Sequence, residues 1–251
     1  MHALIARLPL PILETAVAAF VTGAAFIQPA DAVTFTDAGT FSAATWSNTI
    51  FGGGTVGLTR ETTGGNPGAF LRVQTIPSGG SIVIGAFINS AATWDPSTQG
   101  AIADIDLDVD LKLFSGVPGF PGLFGGQGFG IVLRQGGQVF GNGFAATGDP
   151  VPNFVSRTIT GAGQTNFGLI SSSGNTDVAI NPDFTASGSL IEFGISFANS
   201  GGAPISGTTA GYDNLGITVN AAASGVPEPG AFLLLGVGLA GLAFTRRKRM
   251  V

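Results

Sequence analysis

The chain has no cysteine and one histidine, His2. Without cysteine there is no disulfide, no thiolate metal site and no thiol nucleophile. A cleaved leader would remove His2 as well, leaving a mature body with neither residue. That excludes serine–histidine relays, cysteine–histidine pairs and the usual zinc sites. Charge is scarce too: Asp, Glu, Lys and Arg make up 10% of the sequence, against 41 glycines in 251 residues. Glycine weakens helix interiors, and exposed helix faces need lysine, glutamate or arginine in numbers not found here. The composition therefore argues against a helical protein. Twenty phenylalanines, with abundant threonine, isoleucine and valine, favour strands. The length leaves room for one sizeable domain.

The few charges are unevenly placed. Four of the ten basic residues are Arg246, Arg247, Lys248 and Arg249, and a fifth is Arg7. Residues 33–229 keep five basic and thirteen acidic residues, a net charge of −8. A body this acidic is repelled by nucleic acid and by anionic membrane surfaces, so neither is an expected partner of it.

Both ends read as addresses. Residues 1–32 have the features of a signal peptide: Arg7, the apolar run Thr15–Ile27 expected as a signal helix, and the small-residue site Ala30-Asp31-Ala32. At the other end, Val226-Pro227-Glu228-Pro229 precedes an apolar run, and the basic cluster Arg246–Arg249 follows it. Two prolines one residue apart keep Val226–Pro229 out of a helix. The uncharged stretch Ala231–Phe244 spans roughly 24 Å as a helix. That is short of a hydrocarbon core of about 30 Å; snorkelling arginines and local bilayer thinning make up the difference. A transmembrane helix is expected over residues 230–245, reached through a small-residue linker at 221–225. The basic cluster stays cytoplasmic, so the body lies across the inner membrane, where the leader also sends it.

The tail, residues 226–251, resembles the PEP-CTERM sorting signal of Gram-negative bacteria. The resemblance rests on Val226, Pro227, Glu228 and Pro229, the apolar run, and the Arg246–Arg249 membrane stop. It implies recognition by an exosortase, a membrane-embedded processing enzyme. The tail is then removed, after transient anchoring in the inner membrane, and the body goes to the cell surface or extracellular matrix.

The body, residues 33–220, reads as short strands between turns. Strands are expected at Val33–Thr36, Thr55–Thr59, Ala69–Gln74, Ser81–Ile88, Ala101–Phe114, Phe129–Arg134, Gln138–Phe140, Phe154–Thr160, Asn166–Ile170, Ser189–Asn199 and Leu215–Val219. Gln135-Gly136-Gly137 is a hairpin signal. The loop Val117–Gly130 lacks the Gly-Lys-Ser/Thr ending of a phosphate loop and gives no nucleotide site. About ten short strands without a helical period predict an all-β fold, an antiparallel two-sheet sandwich. Gly64-Gly65-Asn66-Pro67-Gly68-Ala69-Phe70-Leu71-Arg72 and Tyr212-Asp213-Asn214-Leu215 resemble the jelly-roll modules related to the laminin B (domain IV) type, with Phe154 where that pattern often has tryptophan. In jelly rolls of that kind, positions like Asp213 and Asn214 help hold a structural calcium ion.

Three groups of residues are candidates for a site. In Ala101–Phe114, Asp104, Asp106, Asp108 and Asp110 alternate with apolar residues, so the four carboxylates line one face. Neighbouring members stand roughly 6.7 Å apart and share a cation only by converging or with help from an adjacent loop. The plain alternative is a solvated face that discourages edge-to-edge association. Asp213 and Asn214 are the second group, against the alternative that they shape a turn into the last strand. Trp46, Trp94 and Tyr212 form the third, a platform for sugar rings or three core aromatics. Outside the sorting motif the body has two glutamates, Glu61 and Glu192. A glycosidase needs two carboxyl groups about 5–10 Å apart. The sequence thus predicts an exported, non-catalytic structural or adhesive sandwich that contacts extracellular polysaccharide. The alternatives are a calcium-stabilised carbohydrate-binding module and an Asp/Glu-dependent glycosidase.

Overall fold

The computed structural model describes residues 32–114, 127–143, 145–146, 153–200 and 207–223. The expected signal peptide, the sorting tail with its expected transmembrane helix, and most of the loop Val117–Gly130 lie outside them. Among the described residues no helix is long and apolar enough to cross a membrane.

In chain order the strands are β1 (Val33–Asp37), β2 (Trp46–Gly52), β3 (Gly54–Gly65), β4 (Gly68–Pro77), β5 (Ile82–Trp94), β6 (Ile102–Phe114), β7 (Gly128–Gln135), β8 (Gln138–Gly141), β9 (Ala145–Ala146), β10 (Val155–Ala162), β11 (Gly168–Ile170), β12 (Thr176–Asp177), β13 (Ile191–Ser200) and β14 (Thr208–Ala221). One short helix, α1 (Pro96–Gln99), follows β5, capped by the Asp95 side chain. The strands form two antiparallel sheets. The first runs β10-β6-β14-β4-β3, with β1 also paired to β14. The second runs β12-β11-β8-β7-β13-β5-β2, with β9 against β7.

The alternating patterns dictate this packing. In β6, Ile105, Leu107, Val109 and Leu111 point inward and are buried, while the aspartates between them point out. In β13, Ile191, Phe193, Ile195 and Phe197 point inward from the other sheet. Together with Trp94, Phe129 and Tyr212 these side chains fill the space between the sheets. Each one contributes about 1.5–3 kcal/mol when fully buried. The hairpin signal forms as expected. Gly136 and Gly137 join β7 to β8 with φ of 58° and 80°, the positive values a two-residue hairpin turn of this hand demands.

A second apolar cluster lies on the far face of the second sheet: Ile84, Ala86, Ile88, Val132, Val139, Ile170 and Ala198, with Phe51 and Ile82 against it. Residues just beyond β11 reach across this face. The Gly52 N–H, on the opposite edge strand, donates to the Ser172 carbonyl at 2.9 Å. The second sheet therefore curls around its own outer cluster.

Several elements differ from the sequence expectations. The last strand begins at Thr208, not Leu215, so Asp213 and Asn214 lie within β14. They mark a bulge in its pairing with β6, and Asn214 has a φ of +49°. Ala221, expected in the linker, is the last residue of β14, and the Ala222 N–H donates to the Ala101 carbonyl. The aspartate ladder does not protect a sheet edge: β6 is an interior strand, between β10 and β14. The edge of the first sheet on that side is β10, and β3 and β1 are edges on the other.

Candidate functional site

The outer face of the first sheet carries most of the polar chemistry. Along β6 the outward positions read Asp104, Asp106, Asp108, Asp110, Lys112, Phe114. The pairing register places Asp213 of β14 opposite Asp110, and Gly211 between Lys112 and Arg72 of β4. Thr59 of β3 is opposite Arg72, and Gly57 is opposite Gln74. The face thus passes from an acidic half, through a hydrogen-bonded centre, to an aromatic and cationic half.

In the acidic half the carboxylates do not converge. The Asn220 amide bridges two of them, donating to Asp104 Oδ1 at 2.6 Å and Asp106 Oδ2 at 3.0 Å. The Gly161 N–H donates to Asp106 Oδ1 at 2.7 Å. Asp108 is exposed to solvent. Among the described residues no group of three or more His, Cys, Asp or Glu stands close enough to hold a metal ion.

The centre is more enclosed. Asp110 is 8% exposed and accepts hydrogen bonds from Asn214 Nδ2 (2.8 Å), Asn66 Nδ2 (3.1 Å) and Ser156 Oγ (2.5 Å). Burial by itself raises the Asp110 carboxyl, but the bonds from Asn214, Ser156 and Asn66 outweigh it and hold the group below the ordinary aspartate range. Asp213 is fully buried and accepts from the backbone N–H groups of Asn66 (2.5 Å) and Asn214 (2.8 Å). Asn214 Nδ2 also donates to the Asn66 carbonyl, tying the bulge of β14 to the β3–β4 turn. Gly39 and Gly65 crowd the Asp213 carboxylate. A side chain starting at Gly39 would meet the Ala69 carbonyl oxygen and Asp213 Oδ1, and one at Gly65 would meet the same carbonyl and Asp213 Oδ2.

The three candidate sugar-stacking aromatics are all in the interior. Trp94 and Tyr212 have no exposed surface, and Trp46 has 6%. Trp46 stacks on Phe87 with ring centroids 4.7 Å apart and donates its indole N–H to Asp37 Oδ2 at 2.8 Å. The Trp94 indole N–H donates to the Gly100 carbonyl at 2.8 Å. Tyr212 packs on Phe197 at 4.6 Å, and burial pushes its phenol far above the ordinary tyrosine value. No face of these rings is free for a ligand.

The rings on the outer face are phenylalanines. Phe70 meets Phe154 edge-on at 5.5 Å and Phe114 at 6.0 Å. Both Phe70 and Phe154 lie over Gly211, where an added Cβ would stand 3.0 Å from each ring. Arg72 Cζ lies 5.5 Å from the Phe114 centroid, and Lys112 Nζ 5.3 Å from it. Arg72 also pairs with Glu61 at 3.6 Å, both partners partly exposed. The other glutamate, Glu192, is in the second sheet and pairs with Arg134 at 2.5 Å. The Glu192 partner raises the Arg134 guanidinium above its usual value. The two glutamates lie in opposite sheets, so the carboxylate pair that a glutamate-based glycosidase requires is not assembled from them.

Among curated proteins no sequence match was found. Several solved structures are similar to the chain at low identity, each with a TM-score below 0.5. The family 11 carbohydrate-binding module from Clostridium thermocellum, solved in complex with a β-1,3-1,4-mixed-linked tetrasaccharide, is 12% identical with a TM-score of 0.42, covering 76% of this chain and 97% of that one. The same module of the cellulosomal cellulase Lic26A-Cel5E covers 77% of this chain and 98% of its own at 12% identity, TM-score 0.39. The K1 cleaved adhesin domain of Lys-gingipain from Porphyromonas gingivalis W83 is 9% identical with a TM-score of 0.37, covering 76% and 99%. These likenesses concern the fold alone. The tail is specific: residues 225–248 match the PEP-CTERM protein-sorting motif, and the chain is an exported protein with a C-terminal sorting signal.

Proposed function

We propose that the body is a non-catalytic structural or adhesive module. An exosortase-type enzyme cuts the tail and delivers the body to the cell surface or the extracellular polymer matrix, where it contacts polysaccharide. The observation that carries this is the sorting motif at residues 225–248. The composition supports it, because a body without histidine or cysteine has few routes to catalysis. Its net charge of −8 over residues 33–229 favours uncharged polymer over polyanions. The test is calorimetric titration of the full chain, in mild detergent, with a panel of neutral and acidic polysaccharides. Saturable heat with a neutral glycan and no release of reducing ends is the expected result. Release of reducing ends that stops on replacing the surface carboxylates would mean a glycosidase instead.

A second reading has its own observation. Asp213 is a fully buried carboxylate, and among the described residues no lysine or arginine forms an ion pair with it. The backbone N–H groups of Asn66 and Asn214 compensate part of the cost of burying that carboxylate, and a cation would offset more of it. Calcium takes six to eight oxygens, and Asp213, Asp110 and the Ala69 carbonyl supply oxygens in this corner. A calcium ion there would lock the bulge of β14 to the β3–β4 turn. The expected outcome is a melting temperature about 5 °C or more higher in millimolar calcium than in EDTA, lost in Asp213→Asn. Equal melting in both solutions removes calcium from the account.

A further inference from the structure

We infer that the groove between β3 and β4, on the outer face of the first sheet, is a binding site for an uncharged polysaccharide chain. This rests on the proposed glycan contact and adds where it happens and through which groups. The groove has a volume of about 260 Å³ and is lined by Gly57, Thr59, Glu61, Arg72 and Gln74. Every lining side chain is polar, and together they offer both donors and acceptors. Arg72 donates only, Glu61 accepts only, and Thr59 and Gln74 do both. A run of sugar hydroxyls presents the same mixture.

Two features separate this groove from an ordinary solvated strand face. The first is preorganisation. The Arg72 guanidinium is held from one side by Glu61 at 3.6 Å and from another by the Phe114 ring at 5.5 Å. Long side chains on a solvated face lose rotamer freedom on binding, and a guanidinium already fixed by two partners loses less. The Thr59 and Gln74 side chains make no hydrogen bond within the described protein, so their capacity is open to a ligand.

The second feature is Gly57. Its strand neighbours Val56 and Leu58 pack on the core, so position 57 faces outward. A Cβ there would touch nothing nearer than the Gln74 Cβ at 3.8 Å. No close contact at Cβ makes glycine necessary, and glycine weakens a strand. The vacant position leaves the floor of the groove open. β3 is an edge strand, so a polymer can enter from the side and lie across β3 and β4.

Charge selects the polymer. At the groove itself Glu61 offsets Arg72, Lys112 lies across Gly211, and Asp110 and Asp213 lie farther along the same face. With the body at −8 over residues 33–229, a polyanion is repelled before it docks.

The groove can be closed without disturbing the fold. Gly57→Val places a β-branched side chain at an exposed edge position with space for it, so stability should hold or rise. Binding measured on the full chain in mild detergent should weaken at least about tenfold for a neutral β-glucan, galactan or mannan, whichever the parent binds. Gln74→Ala should weaken it as well, with unchanged melting. Thr218→Ala, in the acidic half, serves as the control and should bind like the parent. Neutral-glycan binding retained in both Gly57→Val and Gln74→Ala overturns the site but leaves the glycan contact standing. A parent that binds none of the neutral polymers overturns the contact itself. A parent that binds alginate or hyaluronate in preference overturns the ligand class.

Discussion

Ile195→Asp leaves the body unfolded, or barely folded, at room temperature. Ile195 is wholly buried in the middle of β13, opposite Phe87 of β5 on one side and Ile131 of β7 on the other. Both neighbouring positions are themselves in the main core. A carboxylate there has no cation to pair with and no water to solvate it. It must either bury its charge or take up a proton, and each costs several kcal/mol. A natural domain has only about 5–15 kcal/mol to lose. The conservative replacement Ile195→Val removes one methylene and should cost about 1 kcal/mol. Urea unfolding followed by tryptophan fluorescence measures both, since Trp46 and Trp94 are buried in the same core. The valine variant should keep a cooperative transition at a slightly lower midpoint, and the aspartate variant should show none. An aspartate variant that unfolds at the parental midpoint would mean that this face of β13 does not meet the first sheet.

That prediction could be written from the sequence because β13 alternates cleanly, as does β6. Period-2 patterns survive wherever one face of a strand meets a core. The elements that escaped notice lack the pattern for definite reasons. In β2, Trp46 is buried but Ser47, Asn48, Thr49 and Ile50 are all exposed, so an edge strand reads as loop. The first half of β14 contains Gly211, Asp213 and Asn214, all turn formers, and looks like the approach to a strand. Its neighbours override that preference. Phe70 and Phe154 fold onto Gly211, and Asp213 takes the backbone N–H groups of Asn66 and Asn214.

The outer face of the first sheet was half legible. The run of aspartates in β6 stands out in the sequence, yet the same alternation continues to Lys112 and Phe114. Following the period two steps further would have put a cation and an aromatic ring on the carboxylate face. What no spacing reveals is that Arg72, 42 residues before Phe114, comes to rest on the Phe114 ring. β14 lies between their strands, and its pairing sets that distance. The tryptophans misled for a related reason: a large aromatic carries no mark of which face it will occupy, and the core claimed both.

Replacing Glu228 and Pro229 together by alanine should stop processing while leaving export intact. The sequence around the motif matched at residues 225–248 divides recognition from anchoring. Arginine and lysine are costly in hydrocarbon, so Arg246, Arg247, Lys248 and Arg249 should hold the C-terminal end on the cytoplasmic side. The expected span of roughly 24 Å is short for the bilayer, so it should keep the segment before it close to the outer boundary. Proline should exclude Val226–Pro229 from a helix and favour an extended segment, the form expected to suit a membrane-embedded enzyme. Two alanines remove the charge and one of the two prolines, and let the helix run on toward the body. The variant should accumulate as a larger, membrane-bound species, read by the mass of the protein in membrane and medium fractions. Changing Arg246–Arg249 to serine acts on a different step. It removes the cost of crossing, so retention and orientation in the membrane should weaken even though the Pro-Glu-Pro motif is intact. The two variants thus separate recognition from anchoring. A mature protein of unchanged mass and location in both would mean that the tail is only a hydrophobic anchor and that no enzyme reads the motif.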